Sequence, residues 1–128
     1  MDYRNALATA LTLHELGPAH NGASVLASYA LQPRDARVLV EIARRPCRAE
    51  KAIAHEANIS KPSATRSTRR LSDNGLIRRV PNPYDGRERW HEVTSRGHAA
   101  LEQLRAAALA DLTATFVEAT ANDVRSAH

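Results

Sequence analysis

The sequence predicts a mainly α-helical fold with a small β-hairpin, an α+β arrangement within one domain over residues 1–128. Along most of the chain, apolar residues recur every three to four positions, which indicates amphipathic helices. Between Gly75 and Thr94 the pattern changes to short strand-like runs around a segment rich in proline. Hydrophobic residues make up 43% of the chain but aromatic residues only 4%, which is typical of helices packed through alanine and leucine.

The composition also excludes several classes of protein. No run of 18 or more apolar residues occurs, so we expect no transmembrane helix and no membrane partner. The N-terminal segment lacks the basic region and apolar block of a secretory signal. Cys47, the single cysteine, cannot form an internal disulfide and suits a reducing compartment. These features predict a cytoplasmic protein.

The N-terminal third is predicted to be helical. Residues 2–16 form a helix that Gly17-Pro18 ends, and residues 23–31 form either a second short helix or an irregular hydrophobic link. Pro33 then opens an amphipathic helix that Pro46 closes. The inward positions of this helix are predicted to be Ala36, Leu39, Val40 and Ala43.

Two further helices are predicted with a tight turn between them. The first covers residues 49–58, and its last residue, Asn58, tolerates the left-handed conformation that reverses the chain. Ser60 stands where an N-cap belongs, Pro62 falls in the first turn, and Gly75 marks the far end. This order of signals predicts a helix-turn-helix.

The second of these helices has an unusual outer face. Ala64, Thr68 and Leu71 follow helical spacing and should face the protein, which leaves basic and short hydroxyl side chains outside. A helix in the DNA major groove needs long donors for phosphates and guanine edges, and short side chains where base edges come close. The outer residues are Lys61, Ser63, Thr65, Arg66, Arg69 and Arg70.

A basic β-hairpin is predicted to follow. Residues 76–80 and 89–94 are strand-like, and residues 81–88 form a turn-rich loop, so the segment completes a winged-helix layout. Such a wing lies along the DNA backbone or reaches the minor groove. Residues 60–90 carry eight basic and three acidic residues, a net charge of +5. The whole chain has a net charge of +4, so the rest of it contributes −1. This asymmetry is expected of a nucleic-acid binder, although a solvated charged surface also produces it.

A long C-terminal helix is predicted over residues 96–121. Its apolar stripe exceeds what a small winged domain can cover, so packing against a partner chain, together with the first helix, is favoured over folding back on its own domain. The stripe consists of Leu101, Leu104, Ala108, Leu112 and Phe116.

From Ala52 to Gly97 the sequence resembles the MarR family of bacterial transcriptional regulators. The similarity lies in the order and spacing of a short helix, a serine, an arginine in the following helix, Gly-Leu, an arginine-rich strand, an Asp-x-Arg wing tip and Thr-x-x-Gly. In this chain the elements are Ser60, Arg66, Leu71, Gly75-Leu76, Arg78-Arg79, Asp85-Gly86-Arg87 and Thr94-Ser95-Arg96-Gly97. Residues 31–43 are similar to the preceding helix of the family.

The resemblance implies a homodimer that binds double-stranded DNA and usually represses genes. Residues 1–31 and 96–121 would form the dimerisation helices around a winged helix-turn-helix core at residues 33–94. In many members of the family a small aromatic or anionic effector, bound between the two parts, releases the DNA. The sequence departs from the family pattern at three points: Ser67-Thr68 replaces a more apolar pair, Gly17-Pro18 interrupts the first helix, and the C-terminal helix ends early.

The resemblance also assigns roles to individual residues. Ser60, Lys61, Ser63, Thr65 and Arg66 would meet bases or nearby phosphates, and Arg69 and Arg70 would contact the backbone. Asp85 would brace the wing, Arg87 would enter the minor groove, and Arg89 belongs to the same surface. His14, Tyr29 and Arg37 suit an effector carrying a phenolic carboxylate, with ordinary packing or surface roles as the alternative.

Other functions are less well supported by the residues. The six histidines and Cys47 show no short metal-binding spacing, so no metal or cofactor is expected, although a site built from distant residues stays open. Arg44, Arg45 and Arg48 near Cys47 raise the alternatives of a redox-responsive thiol and a neutral one. No catalytic constellation is apparent, so the chain is not predicted to be an enzyme. A winged-helix protein-interaction module is the remaining alternative.

Overall fold

The computed structural model describes residues 21–126, and side chains over residues 21–117. The helix predicted at residues 2–16, its break at Gly17-Pro18 and the effector candidate His14 lie outside the described residues. The observed elements, in chain order, are helices α1 (Asn21–Ser28), α2 (Pro33–Arg44), α3 (Glu50–Ala57) and α4 (Lys61–Asp73), strands β1 (Ile77–Asn82) and β2 (Asp85–Val93), and helix α5 (Ser95–Ser126). The predicted mainly helical fold with one hairpin is confirmed.

The helix-turn-helix has the predicted end signals. Asn58 ends α3 in the left-handed conformation, with φ of 56° and ψ of 47°. The Ser60 hydroxyl accepts a hydrogen bond from the Ser63 N–H at 3.2 Å and so caps α4. Gly75 follows α4 with φ of +73°, and the Leu76 N–H donates to the Leu71 carbonyl at 2.9 Å. Local side-chain and backbone chemistry therefore sets the turn between the two helices and the end of the second.

Helices α2 to α5 share one hydrophobic core. The predicted inward residues of α4, namely Ala64, Thr68 and Leu71, are fully buried. In α2, Ala36, Leu39 and Val40 are buried as predicted, whereas Ala43 is half-buried. The largest fully buried side chains are Leu39, Ile42, Ile53, Leu71, Leu76 and Leu104. Because α4 contributes to this core, the orientation of its outer face is determined by the packing of its inner face.

The hairpin has longer strands and a shorter turn than predicted. Strand β1 extends to Asn82 and β2 begins at Asp85, so the strands include most of the loop predicted at residues 81–88, although within it only Pro81, Asn82 and Asp85 have a cross-strand partner. The Asn82 side chain orders the turn, since its Oδ1 accepts from the Tyr84 N–H at 2.8 Å and its Nδ2 donates to Glu88 Oε2 at 2.9 Å. The pairing shifts register between Pro81 and Asn82. We call residues 77–93 the wing.

A short bridge joins the segment after α2 to the wing, and the sequence did not reveal it. The Cys47 N–H donates to the His91 carbonyl at 3.1 Å, and the His91 N–H donates to the Arg48 carbonyl at 3.2 Å. Gly97 contributes a close approach at the other end of the hairpin, because a Cβ there would lie 2.1 Å from the Leu76 carbonyl oxygen. The wing is therefore attached to the helical core at both its middle and its base.

Helix α5 is longer than the predicted range of residues 96–121, since it runs from Ser95 to Ser126. Its first part packs on the domain's own core through Ala100, Leu101 and Leu104, Ala108 is buried separately beside Leu112, and Phe116 is 73% exposed. Helix α1 lies against it, and the N–H groups of Asn21 and Gly22 each donate to the Asp111 carboxylate at 2.9 Å. The predicted apolar stripe is thus divided between an internal part and an exposed part.

Candidate nucleic-acid interface

The outer face of α4 presents three exposed basic side chains, Lys61, Arg66 and Arg69. In the part of the chain that the structure describes, none of the three forms an ion pair. Arg66 donates a single long hydrogen bond, at 3.3 Å, to the Ser63 hydroxyl. Cations that lack carboxylate partners keep their charge available for an anionic ligand, and phosphates and guanine edges are ligands of that kind.

Arg70 differs from its neighbours because it is bound to the protein. Its Nε and Nη2 each donate to the Asp35 carboxylate at 2.8 Å, and Asp35 is fully buried. Burial alone raises the pKa of Asp35, but hydrogen bonds from Arg70 and the Gln32 N–H outweigh it and lower the pKa below the ordinary value. The two-point contact ties α4 to α2. Arg70 therefore has a structural role within the protein, and its contact with the DNA backbone stays a prediction.

Ser60 and Ser63 lie at the N-terminus of α4 and bond to each other. The Ser60 hydroxyl donates to the Ser63 hydroxyl at 2.9 Å, and Ser63 is 8% exposed. Ser60 is exposed, and Lys61 beside it begins the helix. Pro62 has no N–H and the Ser63 N–H is bonded to Ser60, so this end of α4 offers an anionic group such as a phosphate mainly the Lys61 side chain and the partial positive charge of the helix N-terminus.

Glu50 of α3 supports the middle of α4 from behind. Its Oε2 accepts a hydrogen bond from Thr65 Oγ1 at 2.8 Å, and its Oε1 accepts one from Thr68 Oγ1 at 2.6 Å. Thr68 is fully buried, which confirms its predicted inward position, whereas Thr65 is half-buried at the edge of the outer face. The two threonines could be singled out from the sequence, whereas the carboxylate that holds them could not.

The wing carries further basic side chains at the surface. Arg87 and Arg89 are exposed, and neither forms an ion pair among the described residues. Asp85 Oδ1 accepts from the Arg87 N–H at 3.0 Å, so its side chain bonds within the wing tip. Arg78, by contrast, pairs with Glu92 across the strands. Tyr84 at the tip is 89% exposed and its ring centroid lies 6.2 Å from that of Trp90.

A buried group lies between the wing and α3. His91 is 2% exposed, and its Nδ1 has no hydrogen-bond partner among the described residues. Burial lowers its pKa; the charge of Glu50 opposes this effect and that of Arg79 adds to it. His91 is therefore kept neutral at pH 7, where it fills the space under the wing.

Two of the predicted effector-binding residues, Tyr29 and Arg37, fall within the described residues, and each contacts a different part of the protein. The Arg96 guanidinium lies over the Tyr29 ring, 5.2 Å from its centroid. Arg37 donates to the Ala57 carbonyl at 3.0 Å and so caps the C-terminal end of α3. Both side chains therefore have structural contacts, and their role toward an effector stays a prediction.

The described residues include a free thiol but no cluster of metal-binding side chains. Over the described residues, no group of three or more His, Cys, Asp or Glu side chains is arranged to hold a metal ion. Cys47 is an exposed free thiol with φ of +62°. Over the same residues, no helix is both long enough and apolar enough to cross a membrane.

Comparison with known proteins agrees with this geometry. A family model described as the MarR family matches residues 31–88, which cover α2 to the wing tip. No curated protein sequence matches the chain. Among solved structures, that of MarR superposes with a TM-score of 0.72 at 23% identity, covering 88% of this chain and 74% of that one.

Two further structures contain DNA. The transcriptional repressor CouR, bound to a 23-mer DNA duplex, superposes with a TM-score of 0.68 at 24% identity and covers 84% of this chain and 75% of its own. The S. aureus MepR–DNA complex superposes with a TM-score of 0.65 at 15% identity, covering 84% of this chain and 88% of that one. These identities establish a shared fold. Over residues 31–88 the chain matches the MarR family of transcriptional regulators, and it shares the winged helix-turn-helix fold of these solved structures.

Proposed function

We propose that the protein is a sequence-specific repressor that acts as a homodimer on a pseudo-palindromic operator. The observation that carries this proposal is the outer face of α4, where Lys61, Arg66 and Arg69 are exposed and have no carboxylate partner within the described part of the chain. A winged-helix protein that had become a protein-interaction module would have no reason to keep these cations beside a basic wing. We therefore favour DNA over a protein as the ligand of this face.

On this proposal α4 is the recognition helix, and its residues divide between bases and phosphates. Thr65 and Arg66 lie near the middle of the helix, where base edges would be met in the major groove. Ser60, Lys61 and Ser63 lie at its N-terminus, close to a phosphate, and Arg69 extends the contact along the backbone. Arg70 would approach the backbone while its guanidinium stays bound to Asp35.

The wing would contact the DNA beside the recognition helix. Arg87 and Arg89 supply exposed positive charge, and Asp85 bonds to the backbone of Arg87. The minor groove concentrates negative potential, which attracts an inserted arginine. We propose that Arg87 enters this groove and that Arg89 adds to the attraction.

Dimerisation would use residues 1–31 and 96–121, with residues 33–94 as the DNA-binding core. The support within the described residues is that Phe116 and Val117 of α5 are 73% and 61% exposed. Large apolar side chains in this position are stabilised by contact with another apolar surface, and a second copy of the chain supplies one symmetrically. Two recognition helices would then face the same side of the DNA.

Release by a small aromatic or anionic effector completes the proposal. Tyr29, which follows α1, supplies an aromatic ring, and Arg37 of α2 supplies a positive charge, each through a separate contact in the structure. A compound that displaced Arg37 from the Ala57 carbonyl would alter the C-terminal end of α3, just before the recognition helix.

Selection of bound duplexes from a random library, at about physiological salt where unspecific phosphate binding is weak, tests the proposal. We expect enrichment of an inverted repeat whose half-sites lie roughly 10 bp apart, since two symmetric recognition helices meet successive major grooves. Purified, folded protein that enriches no motif would contradict specific DNA binding and favour the interaction module. Enrichment of a single, unrepeated site would contradict the dimer.

A further inference from the structure

The contact between Glu50 and Thr65 has consequences for which base the recognition helix accepts. The Thr65 hydroxyl has two neighbours within the protein, Glu50 Oε2 at 2.8 Å and the Lys61 carbonyl oxygen at 3.0 Å. A hydroxyl carries one hydrogen and can accept through its lone pairs. The ionisation state of Glu50 therefore determines which way the hydrogen of Thr65 points.

Glu50 is held in its ionised form. Burial alone raises its pKa, but the hydrogen bonds from Thr68 and Thr65 outweigh burial, and the charge of Arg79 acts in the same direction as the hydrogen bonds. The resulting pKa lies below the ordinary value of a glutamate. An ionised carboxylate only accepts hydrogen bonds, as does the Lys61 carbonyl, so both inward neighbours of Thr65 require its hydrogen.

The hydrogen of Thr65 is thus directed into the protein, and only lone pairs remain for a ligand. In the major groove, adenine N6 and cytosine N4 carry amino groups that donate hydrogen bonds. Guanine O6 and N7, thymine O4 and the phosphate oxygens are all acceptors, so none of them can bond to a hydroxyl that presents no hydrogen. Thr65 is consequently suited to a base amino group and unsuited to a phosphate.

We infer that Glu50 is a specificity-determining positioning residue, which fixes Thr65 as a hydrogen-bond acceptor for an adenine or cytosine amino group in the major groove. This inference rests on the proposed function, because it concerns the bases that α4 reads. Glu50 itself touches no DNA and acts through Thr65. Its second oxygen, bound to Thr68 at 2.6 Å, anchors the carboxylate in this position.

The test is library selection and affinity measurement with Glu50→Gln and Thr65→Val. In Glu50→Gln the amide can donate to the Thr65 oxygen, so the hydroxyl no longer needs to present a lone pair to the DNA. In Thr65→Val the hydroxyl is absent with little change of shape. Wild-type protein should prefer adenine or cytosine at one position of each half-site, by roughly 3–10-fold as expected for one hydrogen bond. Both variants should reduce that preference to about 2-fold or less at this position alone.

Two controls separate this effect from changes of charge or fold. Glu56→Gln removes the same charge from the same helix, and Glu56 contacts Arg44 at 3.4 Å instead of α4, so it should keep the wild-type preference. Thr65→Ser retains the hydroxyl and should also keep it. If Glu50→Gln does not fold, the contrast between Thr65→Ser and Thr65→Val still decides whether the hydroxyl selects the base.

The outcomes that overturn the inference differ from those that overturn the proposed function. A wild-type motif with guanine or thymine at the position that Thr65→Val alters would overturn the inference. Equal preference in wild type and Glu50→Gln would do the same, as would a loss of discrimination at all positions together, which indicates a merely structural role. Absence of any motif with wild-type protein would instead overturn the proposed function, and the inference with it.

Discussion

The recognition helix and the wing carry four basic residues each but hold them in different ways. Helix α4 is tied to α2 through Arg70 and Asp35 and to α3 through Glu50 and two threonines, contacts that involve fully buried groups. The wing tip is exposed from Pro83 to Arg89, and its internal bonds are short-range. A rigidly placed helix can discriminate between bases, whereas a loosely placed charge can only attract phosphates. The comparison therefore predicts that α4 determines specificity and the wing contributes affinity.

The largest expected effect is on the attachment of α4. Arg70→Ala leaves the fully buried Asp35 carboxylate without its cation, and breaking such a pair from one side costs about 3–5 kcal/mol. Urea unfolding measures the free energy of unfolding directly. Arg69→Ala is the matched control, because Arg69 is the exposed neighbour without an ion pair among the described residues, and its cost should stay within about 0.5 kcal/mol. Similar losses in the two variants would show that the Asp35 contact does not hold the helix.

The next effect concerns base reading by the same helix. Arg66→Ala should weaken binding to the selected operator by roughly 1–3 kcal/mol while leaving binding to a shuffled duplex nearly unchanged, because the lost contact is to a base. Fluorescence anisotropy with both duplexes gives the ratio of the two dissociation constants. A loss of the same size on both duplexes would make Arg66 a phosphate contact and remove the main support for specificity in α4.

The wing should show the opposite behaviour. Arg87→Ala is expected to weaken binding to the operator and to the shuffled duplex alike, and to reduce the slope of log affinity against log salt by about 1, since one counterion-releasing contact is lost. Titrations at several salt concentrations measure this slope. Unchanged binding would show that the wing tip does not reach the DNA, and a loss confined to the operator would give the wing a share in specificity.

The smallest expected effect is a dependence of stability on pH that arises under the wing. Because burial lowers the pKa of His91 from the ordinary 6.5, the unfolded chain binds this proton more readily than the folded one. The free energy of unfolding should therefore decline as pH falls below about 6.5, until folded His91 is protonated as well. The lowered pKa values of Asp35 and Glu50 act in the same direction but only in more acidic solution.

His91→Gln separates these contributions, because the variant keeps a polar side chain of similar size without a titrating ring. Between pH 7 and 5, the free energy of unfolding should change less with pH in the variant than in the wild type. Parallel curves would show that His91 is already protonated in the folded protein at pH 7, or that the decline comes from other groups.

The parts of the fold that depend on neighbouring residues were predictable from the sequence. Ser60 as a cap, Asn58 in the left-handed conformation and Gly75 after α4 follow from the chemistry of one turn of chain, and each is found in the structure. The boundaries of the wing were less predictable, because Pro81 and Asn82 favour turns locally but are paired with β2 in the hairpin. Cross-strand pairing overrode the local preference there.

The supporting contacts of the site could not be predicted, because they join distant parts of the chain. Arg70 and Asp35 are 35 residues apart, and Glu50 and Thr65 are 15 apart. An arginine on the outer face of a helix gives no sign of whether a carboxylate from another helix lies beside it. The roles of Lys61, Arg66 and Arg87 toward DNA stay predictions, and the structure supplies the exposure on which they depend.

Methylation protection on the selected operator tests the central claim most directly, because dimethyl sulfate distinguishes the major groove, at guanine N7, from the minor groove, at adenine N3. A dimer with α4 in the major groove and the wing on the minor groove predicts two symmetric patches of N7 protection about one helical turn apart, with N3 protection beside each. In Arg87→Ala the N3 protection should weaken and the N7 protection should remain. Protein bound without any N7 protection would contradict base reading by the recognition helix.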